Sequence, residues 1–421
     1  MRLIYSLLFY CLLPFIAARL LWRSLKAPVY RLRWGERLGY YSQPALKGAV
    51  WIHAVSVGEA EAVFPLLKLM QETYPAQHFL MTTTTPTGSA RVKAMMGDSV
   101  AHVYLPYDTQ GAVQRFLEHF QPTVAIIIET EIWPNLFAAC GQRSMPLFII
   151  NARLSEKSAR GYQKIPRLVH PALASITSIA AQTDADAQRF LAIGADAKQA
   201  AVCGNIKFDT PPMDALIAEG GELREQVFPQ RFVWIIASTH KEEEVFFLDL
   251  YAQLKHIAPE LLLVLVPRHP ERFNDVKQLC LKRQLKVIMR TANTPCDTQT
   301  DVYIADTLGE LKMLYAAADI AFVGGSLVPA GGHNVLEPAA VNVPVMFGAF
   351  MSNFSLIAEG LLNADAALQC PDSAALLAGF QRLYNDASYR QTLAANAHHF
   401  VMQNQGATQR VLRLLAPAIQ K

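Results

Sequence analysis

From residue 49 onward the chain repeats one pattern: a short apolar run rich in branched residues, a polar or glycine-containing turn, then an amphipathic stretch. Runs of this length between turn signals predict strands, and their alternation with helical stretches predicts parallel sheets covered by helices. The runs at 49–56, 78–84, 101–106, 124–130, 147–152 and 178–183 form one set, and those at 232–238, 261–267, 286–290, 301–306, 320–325 and 343–348 a second. The α/β fold class that follows is two Rossmann-like, doubly wound domains facing a cleft, preceded by an N-terminal membrane-anchor helix. The divisions fall at 1–24 for the anchor with its basic flank, 25–210 for the N-terminal domain, 211–231 for a linker and 232–421 for the C-terminal domain. Pro211 and Pro212 mark a hinge in the linker, and the last helix is expected to pack back on the N-terminal domain. Ligands of such sheets bind beyond the carboxyl ends of the strands, so functional residues should sit just after them.

The first 40 residues break the pattern. "LIYSLLFYCLLPFIAARLLW" (3–22) is long enough to span about 30 Å as a helix. The basic residues are concentrated here: Arg2, Arg19, Arg23, Lys26, Arg31, Arg33 and Arg37 against the single acid Glu36, within a chain whose net charge is only +3. That places the surplus beside one apolar segment and argues against a nucleic-acid surface. A basic flank instead of a small-residue cleavage site reads as an uncleaved anchor, with the bulk of the protein on the cytoplasmic side by the positive-inside rule. Pro14 and Arg19 leave a second geometry open, a helix lying in the membrane interface. The six cysteines are scattered with no CxxC pair, the pattern of reduced thiols in a cytoplasmic protein.

Candidate chemistry follows the strands. In "SVGEAEA" Glu59 falls in a first helical turn, where it can cap a dipole or, held ionised by the helix N-terminus, accept a proton from a hydroxyl. "TTTTPTGSAR" (82–91) reads either as a cap or as a sugar or phosphate contact. "IIIETEIWPN" ends an apolar strand with Glu129 and Glu131 near Trp133, and "GNIKFD" brings Lys207 to the end of the first half. In the second half, Ser238 and Thr239 can cap a helix or hold a phosphate, and Arg268 with His269 before Pro270 suits an anion. "VGGSLVPAGGHNVLEPAA" (323–340) carries two Gly-Gly pairs and a helix start whose free N–H groups suit a phosphate, with Glu337 placed to accept from ribose hydroxyls. Neither GxGxxG nor GxxxxGK[ST] occurs, which turns the reading from NAD or ATP toward a nucleotide-sugar. Asp184 and Asp186 read as helix-start acids, His170, His256 and His398 as structural, and no metal or other cofactor is expected.

Taken together, "RWGERLGYY", "SVGEAEA", "TTTTPTGSAR", "YLPYD", "ETEIWPN", "NARLSEKSARGY", "GNIKFD", "VPRHPERF", "GGHNVLEPAA" and "NQGA" resemble the 3-deoxy-D-manno-octulosonic acid (Kdo) transferases of lipopolysaccharide assembly over nearly the whole chain. The resemblance implies a glycosyltransferase-B fold and inverting transfer of Kdo from CMP-Kdo to a tetraacylated lipid A precursor, lipid IVA, at the cytoplasmic face of the inner membrane. It implies Glu59 as general base, Glu129 and Lys207 as transition-state stabilisers, and CMP contacts at Arg268, His269, Gly309, Glu310, Leu311, Asn334, Val335, Leu336 and Glu337. The alternative is another enzyme of this fold acting on a UDP-sugar. A rival of a different class is a non-catalytic membrane scaffold that senses a nucleotide.

Overall fold

The computed structural model describes residues 1–210 and 213–420, so the hinge expected at Pro211 and Pro212 lies outside the described residues. The chain divides into two units, one of Met1–Asp209 with Gln405–Lys421, the other of Thr210–Asn404.

The first unit is built on seven parallel strands: β1 (Val50–His53), β2 (Phe79–Thr83), β3 (Ala101–Tyr104), β4 (Val124–Ile128), β5 (Leu147–Ala152), β6 (Ser178–Ala181) and β7 (Ala200–Val202). Their order is β3-β2-β1-β4-β5-β6-β7. Val50 pairs with Phe79 on one side and Val124 on the other, so the order reverses between β1 and β4. Both strands are buried throughout and apolar except for His53, as a sheet with two covered faces requires. One face packs Trp51, Ile127 and Ile149 against Phe116, Phe120 and Phe137. The other packs Ile52 and Ile126 against Val63 and Leu67, and also against Val411 and Leu415 of the helix Ala407–Ile419. The carboxylate of Asp209 accepts the Gly406 N–H at 2.6 Å and the Thr408 N–H, and Arg410 donates to the Cys203 carbonyl at 2.8 Å. The C-terminal helix is thereby part of the first unit's core.

The second unit repeats the design with β8 (Phe232–Thr239), β9 (Leu261–Pro267), β10 (Val287–Met289), β11 (Val302–Ile304), β12 (Ile320–Val323), β13 (Val345–Phe347) and β14 (Ala367–Gln369). These strands are also parallel, in the order β10-β11-β9-β8-β12-β13-β14, reversing between β8 and β12. Trp234 of β8 is fully buried and stacks on Phe380, with ring centroids 4.6 Å apart. Most of the 211–231 stretch is the helix Asp214–Val227, held in this unit by Gly220, where an added Cβ would lie 2.5 Å from that of Ala316. The sequence pattern missed β7 and β14, three-residue edge strands too short for a periodic signal.

Candidate functional site

Sheet topology places the first cluster. β1 and β4 flank the reversal of the first sheet, and the chain leaving each carries a glutamate. Beyond β1, Ser56 caps the helix Val57–Thr73, accepting the Glu59 N–H. The Glu59 carboxylate folds back over its own helix start, accepting the Ser56 hydroxyl at 2.9 Å and the Val55 N–H at 2.7 Å. Beyond β4, Glu129 has φ +62°, a left-handed conformation that a glutamate rarely adopts, and it pairs with Lys207 at 3.1 Å. Sequence places Lys207 far from both glutamates. A short turn, Ile206–Phe208, brings it in: Asn205 accepts the Lys207 N–H, and the buried Asn151 accepts that of Ile206.

The electrostatics correct one expectation. A helix N-terminus should hold Glu59 well ionised, yet its pKa is raised. Burial is the largest cause and the Glu129 charge adds to it, outweighing the Val55 and Ser56 hydrogen bonds and the Lys207 charge. Glu131, next to this pair, is raised to about 7 by burial and then by the charge of Glu59. Three carboxylates and one lysine thus share one partly buried site, and burial with mutual repulsion makes Glu59 and Glu131 easier to protonate than free glutamates. A base with an elevated pKa accepts a hydroxyl proton more readily than an ordinary carboxylate does.

Two of the N-terminal basic residues, Arg33 and Arg37, are structural. Glu36, buried, accepts Arg33 at 2.7 Å and the Tyr104 N–H at 2.8 Å, while Arg37 donates to the Thr84 carbonyl. "RWGER" therefore clamps the ends of β2 and β3, and with them the threonine-rich loop. Thr85 accepts the Gly88 N–H, so that loop does cap the helix Pro86–Met96. Asp186 is buried, accepting the Leu154 N–H and the Thr183 hydroxyl at the start of the helix Asp184–Ala192.

The second unit assembles another cluster at its own reversal point, beyond β8 and β12. Arg268 and His269 follow β9, the Arg268 N–H bonded to the Thr239 carbonyl. Gly309 has φ +90°, and Glu310 accepts the Arg290 guanidinium through both oxygens at 3.0 and 3.1 Å. Burial opposes ionisation of Glu310, but Arg290 and the Thr307 hydroxyl hold its pKa below the ordinary value. The helix expected to open at "HNVLE" is only Leu336–Ala340, and the Asn334 side chain already accepts the Leu336 N–H. This segment therefore offers individual backbone N–H groups and side chains, with little macrodipole behind them.

Two features here escaped the sequence. His240 and His333 stack with centroids 5.4 Å apart and Nε2 atoms 3.1 Å apart, and His269 lies edge-on to His240 at 6.0 Å. Burial, with the Arg268, His240 and His269 charges, pushes His333 down to about 4. Beneath them Glu243, 1% exposed, accepts the backbone N–H groups of His240, Gly325, Ser326 and Leu327 at 2.8–3.0 Å. One carboxylate thus ties the start of its own helix to the glycine loop after β12. Gly324 is required there, since an added Cβ would meet the Ala237 and Ser238 carbonyl oxygens at 2.8 Å.

Two doubly wound units, each with its polar residues gathered where the strand order reverses, define a glycosyltransferase-B fold. Solved structures share it: a glycosyltransferase from Rickettsia africae matches with a TM-score of 0.56 at 14% identity, covering 89% of this chain and 99% of that one. UDP-GlcNAc 2-epimerase from Neisseria meningitidis, bound to UDP-GlcNAc, matches at 0.55 and 12%, covering 88% and 100%. At such identities the likeness concerns the fold alone. Sequence goes further. The family profile described as 3-deoxy-D-manno-octulosonic-acid transferase (kdotransferase) matches residues 32–210. The 3-deoxy-D-manno-octulosonic acid transferase of Haemophilus influenzae is 42% identical over 94% of both chains, and that of Bordetella pertussis 34% identical over 90% of this chain and 89% of its own. The chain belongs to the Kdo transferase family and is a glycosyltransferase of lipopolysaccharide biosynthesis.

Proposed function

We propose that the chain transfers Kdo from CMP-Kdo to lipid IVA, the tetraacylated lipid A precursor, with inversion at the anomeric carbon, on the cytoplasmic face of the inner membrane. Glu59 takes the proton of the acceptor hydroxyl as its oxygen attacks the anomeric carbon. The bond to the phosphate oxygen breaks at the same time, its electrons leaving with CMP. Lys207, oriented by Glu129, offsets the negative charge that builds during the exchange. In the second unit Arg268 and His269 meet the single phosphate of CMP, with Gly309, Glu310 and Leu311 and the Asn334–Glu337 segment holding the nucleoside. One phosphate needs less compensating charge than two, so these groups suffice without a metal ion.

The observation that carries this reading is the Glu59, Glu129 and Lys207 cluster at the reversal of the first sheet, in a chain 42% identical to a Kdo transferase. Membrane attachment rests on the apolar helix at Arg2–Leu25 and its basic flank. The test is turnover of purified protein with CMP-Kdo and lipid IVA in detergent, with and without chelator, the product identified by mass. Addition of Kdo at an unchanged rate in chelator is expected. No addition by folded protein, or thermal protection by UDP and not by CMP, refutes the assignment.

A further inference from the structure

The apolar helix Arg2–Lys26 behaves unlike a spanning segment. Its covered positions are Tyr5, Ser6, Phe9, Leu13, Ile16, Ala17, Leu20 and Ser24, recurring every three or four residues with adjacent pairs at 5–6 and 16–17, along a single stripe. At its start the Ser6 hydroxyl donates to the Asn135 side chain at 3.1 Å and accepts from it at 2.9 Å. Asn135 is itself locked to Asp108, whose buried carboxylate caps the helix Pro134–Gln142 through the Asn135 and Leu136 N–H groups at 3.0 and 2.8 Å. Tyr5 lies against the same carboxylate, and Phe9 stacks obliquely on Tyr107 at 6.4 Å. At the other end, Ser24 accepts from Arg31, and Arg33 is bonded to Glu36, Ser89 and the His102 carbonyl. Ser6 and Ser24 stand about 27 Å apart along a helix, close to the full hydrocarbon thickness of a bilayer. The first of these ends is nevertheless fastened to the folded unit at Asn135, and the chain beyond the second is fastened to the same unit at Arg33. A helix crossing the membrane would carry its first turns to the far leaflet, away from Asn135 and Asp108.

The outward faces are apolar and end in basic groups. More than half of the exposed large apolar side chains among the described residues fall within the first 32 positions, Leu3, Leu7, Phe15 and Trp22 among the most open. Arg19, Arg23 and Arg31 are exposed beside them. We propose that this helix lies in the plane of the membrane on the first unit's flank, its covered stripe pinned to that unit and its outer face sunk into one leaflet of an anionic bilayer.

The proposal rests on the membrane half of the reading above and is independent of the sugar transferred. It is tested in inside-out membrane vesicles from cells producing the full chain with a cleavable tag before Met1. A Ser6→Cys/Asn135→Cys pair is introduced in a Cys11→Ser background. In-plane binding predicts that protease added outside removes the tag, that the pair forms a disulfide in the membrane-bound, thermally stable protein, and that Phe15→Glu weakens binding to phosphatidylglycerol vesicles about tenfold or more without lowering Tm. A tag protected until the vesicles are opened, with no disulfide in the folded protein, overturns it in favour of a spanning helix. Protein that never sediments with the vesicles, or that covers this face by dimerising, refutes membrane binding itself. Failure of Kdo transfer would appear separately, as inactive protein with the in-plane topology intact.

Discussion

Glu243→Ala should be among the most costly single polar changes in the second unit. The carboxylate accepts four backbone N–H groups at 2.8–3.0 Å from a position 1% exposed. A hydrogen bond to a charged group contributes roughly 1.5–3 kcal/mol, and an orphaned buried donor costs about 1–3 kcal/mol. Four such bonds do not add, because the loop can open to water and rescue some donors. A net loss of about 3–5 kcal/mol is the working figure, within the range for breaking a buried charged network. For a unit of this size that is a fall in Tm of roughly 6–20 °C. The damage should reach the ligand site as well, since Gly325, Ser326 and Leu327 are the residues released. Differential scanning calorimetry with and without CMP, together with CMP titration calorimetry, separates the effects. The expected result is a lowered transition that CMP no longer raises. A Tm within 1 °C of the parent, with unchanged CMP affinity, would refute the argument that this carboxylate holds the loop.

Transfer requires ionised Glu59, whose pKa lies above the ordinary carboxylate value, so the rate should fall as pH drops through that raised value. Lys207→Ala removes a charge that lowers it, and should shift the acid limb of kcat to higher pH while reducing the plateau; an unmoved limb would separate Lys207 from Glu59. Glu131, with a folded pKa of about 7 against 4.5 unperturbed, destabilises the fold only where its ionised form is imposed: not at all below pH 4.5, progressively up to 7 and fully above it. Glu131→Gln should therefore stabilise by up to roughly 3 kcal/mol at pH 8 and little at pH 4.5, read by urea unfolding; an equal effect at both pH values contradicts the shift. Asp209→Ala frees the Gly406 and Thr408 N–H groups and should lower stability by about 2 kcal/mol, with earlier proteolysis of the C-terminal helix as the local readout.

The strands legible in the sequence were those buried on both faces, where "VAIII" and "LLLVLVP" admit few other structures. Glu59 was legible as well, because a glycine turn and a capping serine after an apolar run fix its place. Its raised pKa was not, since burial depends on what the rest of the unit packs around it. The pairing of Glu129 with Lys207 joins positions 78 residues apart and was not legible: the family resemblance gave both the same role but no contact between them. "THKEEE" looks like a solvated first turn, and nothing local shows that Glu243 and Glu244 both turn inward, Glu243 beneath a loop 82 residues later. His333 was hidden in "GGHN", where the glycines drew the reading and its partner His240 lies on another strand's exit. The helix after it is shorter than the pattern suggested because the chain turns at Val341–Asn342, where Asn342 has φ +60°, and ends it within five residues.

Transfer by Glu59→Gln, measured beside the parent enzyme with CMP affinity and Tm on the same preparations, bears most directly on the proposed chemistry. Glutamine keeps an oxygen for the Val55 N–H, so the helix start and the fold should survive. The account predicts kcat lower by about 10² to 10⁴ with CMP affinity and Tm unchanged. A variant that transfers Kdo at the parent rate would show that another group takes the proton, and would contradict the account at its centre.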